Sequence, residues 1–260
     1  MTRKPYKLNC WPWHISGKAT TQELAKKSAL RWLYNFQMFV LRALLATLLL
    51  AQFVAAQEHV SFPTEDGGVV YADIYGKGER GLVLAHGGRF NKESWEKQAR
   101  TLASAGFRVL AFDFRGYGKS RGPGDSAPMS APLHLDVLAA VRYLRKTGAK
   151  TVSVVGGSMG GGAAGDASIA SQPGEIDRVV FLGAYPNGPA EKLKCPSLFI
   201  VARDDASEDG PRLPRIQEQY QKVPEPKTLI ILDGSAHAQF LVKHSAWMNE
   251  GYVGDWPESW

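Results

Sequence analysis

Ser158 is the residue with the most evident capacity for chemistry, because it is the centre of a Gly-x-Ser-x-Gly motif at residues 156–160. The motif follows the β-branched apolar run Val152–Val155 and precedes a stretch of small residues. A strand, a sharp turn and a helix in that order place a serine hydroxyl above the edge of a sheet. The five residues alone are weak evidence in a chain with 27 glycines. The remaining sequence must therefore supply a base, an acid and hydrogen-bond donors.

The base and the acid are expected in loops that follow later strands. A serine hydroxyl is a feeble nucleophile at neutral pH and needs a base to accept its proton. Of the six histidines, His237 lies in a loop just after the predicted strand 228–232. Asp204 and Asp205 follow an earlier apolar run, and either carboxylate can orient the imidazole. We favour Asp204, because the shorter reach from its strand suits a buried partner.

Two backbone amides are required to stabilise the negative charge that develops when a serine attacks a carbonyl. The amide of Met159, which follows the nucleophile, is one candidate. The second is expected in the glycine turn after the strand 82–85, where Gly88 is the best-placed donor and Arg89 the next. We interpret His86 as a structural residue that satisfies loop backbone, and Asp113 as part of a turn.

The elements that must position these residues alternate between short apolar runs and helical periodicities. This alternation predicts an α/β domain with a mainly parallel sheet covered by helices on both faces. In such sheets ligands bind at the carboxyl ends of the strands, where every candidate residue lies. The predicted strands are 59–62, 69–75, 82–85, 109–112, 152–155, 178–182, 196–201 and 228–232, and the predicted helices begin near Ser94, Leu133, Met159, Arg215 and Ala238.

Five motifs resemble, in order and spacing, those of serine hydrolases of the α/β-hydrolase fold. The resemblance covers about residues 59–250, and it implies that Ser158, Asp204 and His237 form the catalytic triad and that Gly88 and Met159 form the oxyanion hole. The motifs are His86–Gly87–Gly88, Asp113–Ser120, Gly156–Gly160, Arg203–Asp205 and Ser235–His237.

Two departures from the family pattern narrow this resemblance. Arg89 follows Gly88 where lipase-type members have a third glycine, which argues against a relative of hormone-sensitive lipase. The connection Gly183–Cys195 is too short for the cap domain that many members insert there. We therefore expect no cap domain and an open site similar to that of small carboxylesterases and dienelactone-hydrolase-like proteins, although the latter typically have a cysteine at the position of Ser158.

The resemblance implies cleavage of carboxylic esters through an acyl-enzyme, with a small ester or acyl substrate and with no metal or organic cofactor. Thioesterase, amidase, peptidase and acyltransferase activities use the same residues and stay open. A non-catalytic ligand-binding module of the same fold is the alternative from a different class. The sequence does not identify the acyl group, because the pocket walls determine it.

The charge of the chain is unevenly distributed. The formal net charge is +6, but residues 1–56 carry +7 and residues 57–260 carry −1. The body therefore offers no case for a nucleic-acid partner. The two cysteines are Cys10 and Cys195, so the body cannot form an internal disulfide, and no cysteine spacing indicates a metal.

The basic segment ends in an apolar run at residues 39–56, which closes with the small residues Ala55 and Ala56. This pattern predicts a secretory signal peptide cleaved near Ala56, with Met38 as the true start and a single domain over residues 57–260. The expected location is secreted or periplasmic. An uncleaved signal anchor, with membrane attachment through this segment alone, and an organelle-targeting leader are the alternatives.

Overall fold

The computed structural model describes residue 26, residues 30–42 and residues 57–241. The chain divides into two compact units, Met1–Phe53 and Val54–Trp260. In the first unit residues 30–42 form a helix, whereas the predicted signal-peptide segment from residue 43 to the expected cleavage site near Ala56 lies outside the described residues. Within the part of the chain that the structure describes, no helix is both long enough and apolar enough to cross a membrane.

The second unit alternates strands and helices as the sequence predicts. Its opening strands form a hairpin. The strands are β1 Glu58–Pro63, β2 Val69–Tyr75, β3 Arg80–Ala85, β4 Phe107–Phe112, β5 Thr151–Gly157, β6 Arg178–Leu182, β7 Ser197–Ala202, β8 Ala206–Ser207, β9 Gly210–Pro211 and β10 Lys227–Leu232. The helices are α1 Glu96–Ser104, α2 His134–Lys146, α3 Met159–Ala170 and α4 Arg212–Lys222, with 3₁₀ turns at Lys92–Trp95, Pro128–Ser130 and Ala190–Lys192.

Eight strands form one sheet in the order β1-β2-β4-β3-β5-β6-β7-β10. The pairs β1–β2 and β2–β4 are antiparallel, and all other neighbours in this sheet are parallel. After β3 the chain adds β4 on one side and β5 on the other, so the strand order switches direction at β3 and β5. Loops that leave these two strands diverge and open a crevice at their carboxyl ends.

Helices cover both faces of the sheet, which confirms the predicted α/β architecture. Helices α2, α3 and α4 pack on one face, where Val141, Ala164 and Ile216 join the larger apolar cluster. Helix α1 and Trp95 pack on the other face against alternate strand residues such as Leu84. This arrangement follows from the strand sequences, because a strand buried on both faces is apolar along its whole length.

A buried ion cluster fixes the turn that follows β4. Arg115 is fully buried and pairs with Asp136 at 2.7 Å and with Asp66 at 2.5 Å. These partners belong to the start of α2 and to the turn between β1 and β2. Breaking such a pair leaves an uncompensated buried charge and typically costs about 3–5 kcal/mol. The cluster therefore holds the Phe114–Tyr117 turn in place beside the loop that follows β3.

The connection from β6 to β7 contains only the 3₁₀ turn Ala190–Lys192, so no cap domain is inserted there. The structure does contain a small element that the sequence analysis interpreted as a polar loop. Strands β8 and β9 form an antiparallel hairpin between β7 and α4, with Glu208 and Asp209 at its tip. This hairpin borders the crevice at the carboxyl ends of the strands.

Candidate active site

Ser158 lies in a one-residue turn between β5 and α3. Its backbone has φ 52° and ψ −117°, a conformation that costs an L-amino acid about 1–3 kcal/mol. The flanking glycines are required by close approach of the backbone. A Cβ atom on Gly156 would lie 2.3 Å from the carbonyl oxygen of Gly160, and one on Gly160 would lie 2.4 Å from that of Ala85. The turn thus presents the serine at the crevice.

His237 and Asp205 form a hydrogen-bonded pair beside this turn. Nδ1 of His237 is 2.7 Å from Oδ2 of Asp205. The side chain of Asp205 is 1% exposed and that of His237 is 28% exposed. A carboxylate only accepts hydrogen bonds, so a neutral His237 carries its proton on Nδ1 and leaves Nε2 as a base. Ser158, Asp205 and His237 line the same pocket.

The structure contradicts the expected pairing of Asp204 with His237, since Asp205 makes this contact instead. The chain turns immediately after β7, with the amide of Asp205 donating to the carbonyl oxygen of Ala202 at 3.2 Å. This tight turn points the side chain of Asp205 back over the sheet and leaves Asp204 exposed to solvent. The amide of Asp204 is instead used to bind the carbonyl oxygen of Gly234 at 2.9 Å. The shorter reach from the strand was the wrong criterion, because the phase of the turn decides which carboxylate faces inward.

Gly183, which follows β6, makes room for the His237–Asp205 pair. It has φ +60°, and a Cβ atom there would lie 2.8 Å from Nδ1 of His237 and 2.9 Å from Oδ2 of Asp205. Ala238 also has a positive φ, of 50°, directly after His237. Positive φ is unfavourable for alanine, so this conformation is imposed by the surrounding packing. Strained backbone therefore occurs at the proposed nucleophile, Ser158, and at Ala238, directly after the proposed base.

Gln239 joins the histidine loop to the first helical turn after β3. It is 3% exposed, and its Nε2 donates to Oγ of Ser94 at 3.0 Å. Its carboxamide oxygen lies 3.0 Å from the position that a Cβ atom of Gly157 would occupy. The residue before the nucleophile is therefore a glycine for a packing reason. No motif or periodicity in the sequence points to Gln239, because its partner Ser94 is 145 residues away along the chain.

The loop after β3 is held by His86, as the sequence analysis expects of a structural residue. Burial lowers the pKa of His86 to about 4, so the ring is neutral at pH 7. Its Nε2 accepts from the amide of Phe114 at 3.2 Å, which leaves the proton on Nδ1 for the carbonyl oxygen of Gly87 at 2.9 Å. That carbonyl also accepts from the amide of Phe90 at 3.0 Å. Because a trans peptide directs its N–H opposite to its C=O, the amide of Gly88 must point away from this cluster.

Tyr117 fixes the next peptide of the same loop. Its hydroxyl donates to the carbonyl oxygen of Gly88 at 2.9 Å. On the other side of Ser158, Met159 is the first residue of α3, and the amides of a first helical turn have no partner within the helix. The positive end of the helix dipole also lies there. Gly88 and Met159 line the pocket together with Ser158, which suits two amide donors to an anion.

Asp113, which the sequence places in a turn, holds the end of the loop after β3. Its Oδ1 accepts from the amide of Lys92 at 2.8 Å, and burial raises the pKa of its carboxyl group. This bond anchors the far end of the loop that begins at His86. The loop is thus held at its start by His86, in its middle by Tyr117 and at its end by Asp113.

The pocket over Ser158 has a volume of about 860 Å³ and is lined by both apolar and polar side chains. The apolar side chains are Phe90, Met129, Met159 and Phe240. The polar side chains include Ser207, Glu208, Asp209, Arg212 and Ser235. Among the described residues, no group of three or more His, Cys, Asp or Glu side chains is arranged to hold a metal ion. The pocket therefore suits an organic molecule with an apolar part and a polar part.

Solved structures with a similar fold cover most of the chain. An esterase from Pyrococcus furiosus superposes with a TM-score of 0.65 over 79% of this chain and 93% of that one, at 20% identity. A dienelactone hydrolase from Anabaena variabilis superposes with a TM-score of 0.61 over 77% of this chain and 94% of that one, at 18% identity. At this level of identity the likeness concerns the fold.

Several enzymes have sequences similar to that of this chain. A putative non-heme chloroperoxidase from Synechocystis is 36% identical over 47% of this chain and 38% of its own length. A non-heme haloperoxidase from Rhodococcus erythropolis is 31% identical over 46% of this chain and 42% of its own length. The matched region thus spans less than half the length of these two relatives. A non-heme chloroperoxidase from Streptomyces lividans is 25% identical over 74% of this chain and 67% of its own length.

The family assignment depends on the match to the family model. The model described as alpha/beta hydrolase fold matches residues 82–251, about two thirds of the chain. That region contains the strand, turn and helix around Ser158 (the nucleophile elbow), the His237–Asp205 pair and the loop that begins at His86. The chain belongs to the α/β-hydrolase fold family.

Proposed function

We propose that the protein is a serine hydrolase that cleaves carboxylic esters through an acyl-enzyme. The observation that carries the proposal is the pair of His237 and the buried Asp205, at 2.7 Å, in a pocket that is also lined by the strained Ser158. A nucleophile, a base and an orienting acid are the parts required for acyl transfer to serine. This triad replaces Asp204 of the sequence-based prediction with Asp205.

In the first half of the reaction, Nε2 of His237 accepts the proton of the Ser158 hydroxyl as Oγ attacks the ester carbonyl. Asp205 accepts the Nδ1 proton and stabilises the imidazolium that forms. The amides of Gly88 and Met159 donate to the negatively charged oxygen of the tetrahedral intermediate. The imidazolium then gives its proton to the departing alcohol, and the acyl group stays on Oγ.

In the second half, a water molecule takes the place of the alcohol. His237 accepts a proton from the water as its oxygen attacks the acyl carbon. The second tetrahedral intermediate uses the same two amides. Its collapse returns the proton to Oγ of Ser158, releases the carboxylic acid and restores the triad. No step of this cycle calls for a metal or an organic cofactor.

The proposal is tested by labelling the full-length protein with a fluorophosphonate, which reacts with activated serines. Wild type is expected to become labelled at Ser158, as mapped by mass spectrometry, and Ser158→Ala is expected to stay unlabelled. Ser235→Ala is the matched control, because Ser235 lines the same pocket and should label like wild type. Absence of labelling in the folded wild type would favour the ligand-binding module.

A panel of substrates tests which class of acyl compound the protein hydrolyses. Carboxylic esters of varied acyl length are compared with thioesters and peptides, and hydrolysis of the esters with the highest kcat/KM is expected. Because the pocket is lined by both apolar and polar side chains, we expect it to favour esters that have one apolar and one polar substituent. A preference for thioesters or peptides would keep the triad mechanism and replace the substrate class.

The oxyanion role of the loop after β3 leads to a prediction for His86. His86→Ala removes both hydrogen bonds of the ring, so the Gly88 amide is held less firmly, although the bond from Phe90 to the Gly87 carbonyl oxygen remains. We expect kcat to fall about 10- to 100-fold, with KM changed less than about threefold, because a misdirected donor is felt mainly in the transition state. Steady-state kinetics with the best ester of the panel measure both constants.

His86→Asn is the control, since its side-chain amide can donate from about the position of Nδ1. This variant is expected to recover much of the lost kcat. If His86→Ala lowers only thermal stability and leaves kcat unchanged, the ring has no part in directing the Gly88 amide.

A further inference from the structure

Arg212 occupies a position beside the triad acid that the mechanism above does not use. It is the first residue of α4, and its amide donates to the carbonyl oxygen of Asp205 at 2.8 Å, which closes the β8–β9 hairpin. Its side chain is 31% exposed and lines the pocket. Nε of Arg212 lies 3.3 Å from Oδ1 of Asp205.

Both atoms of this contact are buried, and neither makes a hydrogen bond with the described residues. Their separation is nevertheless that of an ion pair. A buried carboxylate oxygen and a buried guanidinium nitrogen both require compensation, and the two atoms lie within ion-pair distance of each other. The contact is thus electrostatic, and it occupies the oxygen of Asp205 that His237 leaves unused.

The two oxygens of Asp205 therefore face two different cations once His237 is protonated. Oδ2 faces the imidazolium, and Oδ1 faces the guanidinium. Arg212 stabilises the carboxylate but offsets its negative charge, so Asp205 stabilises the protonated form of His237 less than an unpaired aspartate would. We infer that Arg212 is a positioning residue that holds the Asp205 carboxylate in place and competes with the protonated His237 for its negative charge.

The consequence for the reaction rests on the proposed function. A base must be unprotonated before the serine attacks, so the rate on the acid side falls as His237 becomes protonated. A guanidinium that shares the charge of the Asp205 carboxylate is therefore expected to affect the acid limb of the rate profile. Arg212 does not contact the reacting atoms, and its effect passes through Asp205.

Other charged groups lie around the pocket, but they are farther from the carboxylate of Asp205. Glu208 and Asp209 line the pocket from the tip of the β8–β9 hairpin, and Arg89 lines it from the loop after β3. All three are exposed, so solvent and salt screen their charges. Among the described residues, Arg212 and His237 are the basic side chains within 4.0 Å of the Asp205 carboxylate.

Charges on the remaining neighbouring loops are also exposed. Asp204 precedes the triad acid, and Arg203 pairs with Asp233 at 3.5 Å on the outer side of these loops. Arg215, one turn further along α4, pairs with Asp209 at 3.9 Å. Arg215 thus carries the same charge on the same helix without a contact to Asp205, which makes it a matched control.

The test follows the titration of His237 by NMR of its Cε1–H group in the full-length protein. The signal is recognised by its absence from His237→Gln. In Arg212→Gln the titration midpoint is expected to move up by roughly 0.5 to 1 pH unit, because a nearby cation that opposed protonation is gone. Arg212→Lys keeps the charge and should restore most of the wild-type midpoint, and Arg215→Gln should leave it unchanged.

The acid limb of kcat/KM for the best ester provides a second readout and should move with the NMR midpoint. If the protein proves not to hydrolyse esters, the NMR titration alone still decides the role of Arg212. A midpoint in Arg212→Gln within about 0.2 units of wild type, or an equal shift in Arg215→Gln, would overturn the inference. Should Arg212→Gln fail to fold, Arg212→Met keeps the aliphatic stem and carries the same expectation.

Discussion

Ser158→Ala, His237→Ala and the double variant are expected to lose kcat by about the same factor, roughly 10⁶ for an ester that the wild type hydrolyses. The nucleophile and the base act as one unit, since Oγ is unreactive without a group to accept its proton. Once either side chain is removed, the other has nothing left to contribute. Independent contributions would instead multiply to about 10¹² in the double variant.

Steady-state kinetics of the three variants with one ester measure this non-additivity. The catalysis that remains should come from the amides of Gly88 and Met159 and from substrate binding. His134→Ala is a suitable control, because His134 begins α2 and does not line the pocket, so wild-type kcat is expected. Retention of kcat within about 100-fold in His237→Ala would show that His237 is not the base.

Much of the fold was predictable because its signals are local. The sequences that form β3, β4, β5, β6 and β7 are short apolar runs, and the structure confirms them as strands. The position of the elbow was predictable for the same reason, since strand, turn and helix adjoin in sequence around Ser158. The β8–β9 hairpin was missed because two-residue strands have no periodicity to detect.

The site was less predictable, because its geometry depends on turns and on contacts across the chain. Asp204 and Asp205 are neighbours of the same residue type, and the turn closed by the hydrogen bond from Asp205 to Ala202 leaves the Asp205 side chain buried and that of Asp204 exposed. The bond from Tyr117 to Gly88 joins residues 29 apart, and the bond from Gln239 to Ser94 joins residues 145 apart. Periodicity and motif spacing carry no information about such pairs.

A tight turn expected at the end of β7 is relevant to the choice between Asp204 and Asp205. Both aspartates come within three residues of the end of β7, where a turn closed between positions i and i+3 is common. In this turn the residue at i+3, Asp205, is buried, whereas the residue at i+2, Asp204, is exposed. The possibility of a turn after β7 was therefore a reason to weigh both aspartates equally.

This assignment gives a second prediction with a large effect. Asp205→Asn is expected to lower kcat about 10⁴-fold, whereas Asp204→Asn should stay within about twofold of wild type. An asparagine at 205 can donate its amide hydrogen to Nδ1 of His237, which leaves the imidazole proton on Nε2. In that tautomer the ring cannot accept the proton of Ser158, although the size and the packing of the side chain are almost unchanged.

The comparison between the two neighbouring variants distinguishes a role in the triad from a general loss of charge. Both substitutions remove one negative charge from the same loop, but only Asp205 contacts His237, at 2.7 Å. The kcat of each variant is measured with one ester, and the melting temperature of each is measured as a check on folding. A larger loss of kcat in Asp204→Asn than in Asp205→Asn would reverse the assignment, and equal small losses would mean that His237 works without an orienting acid. We expect neither outcome, because the buried Asp205 carboxylate is the acidic side chain that lies within 4.0 Å of His237 among the described residues.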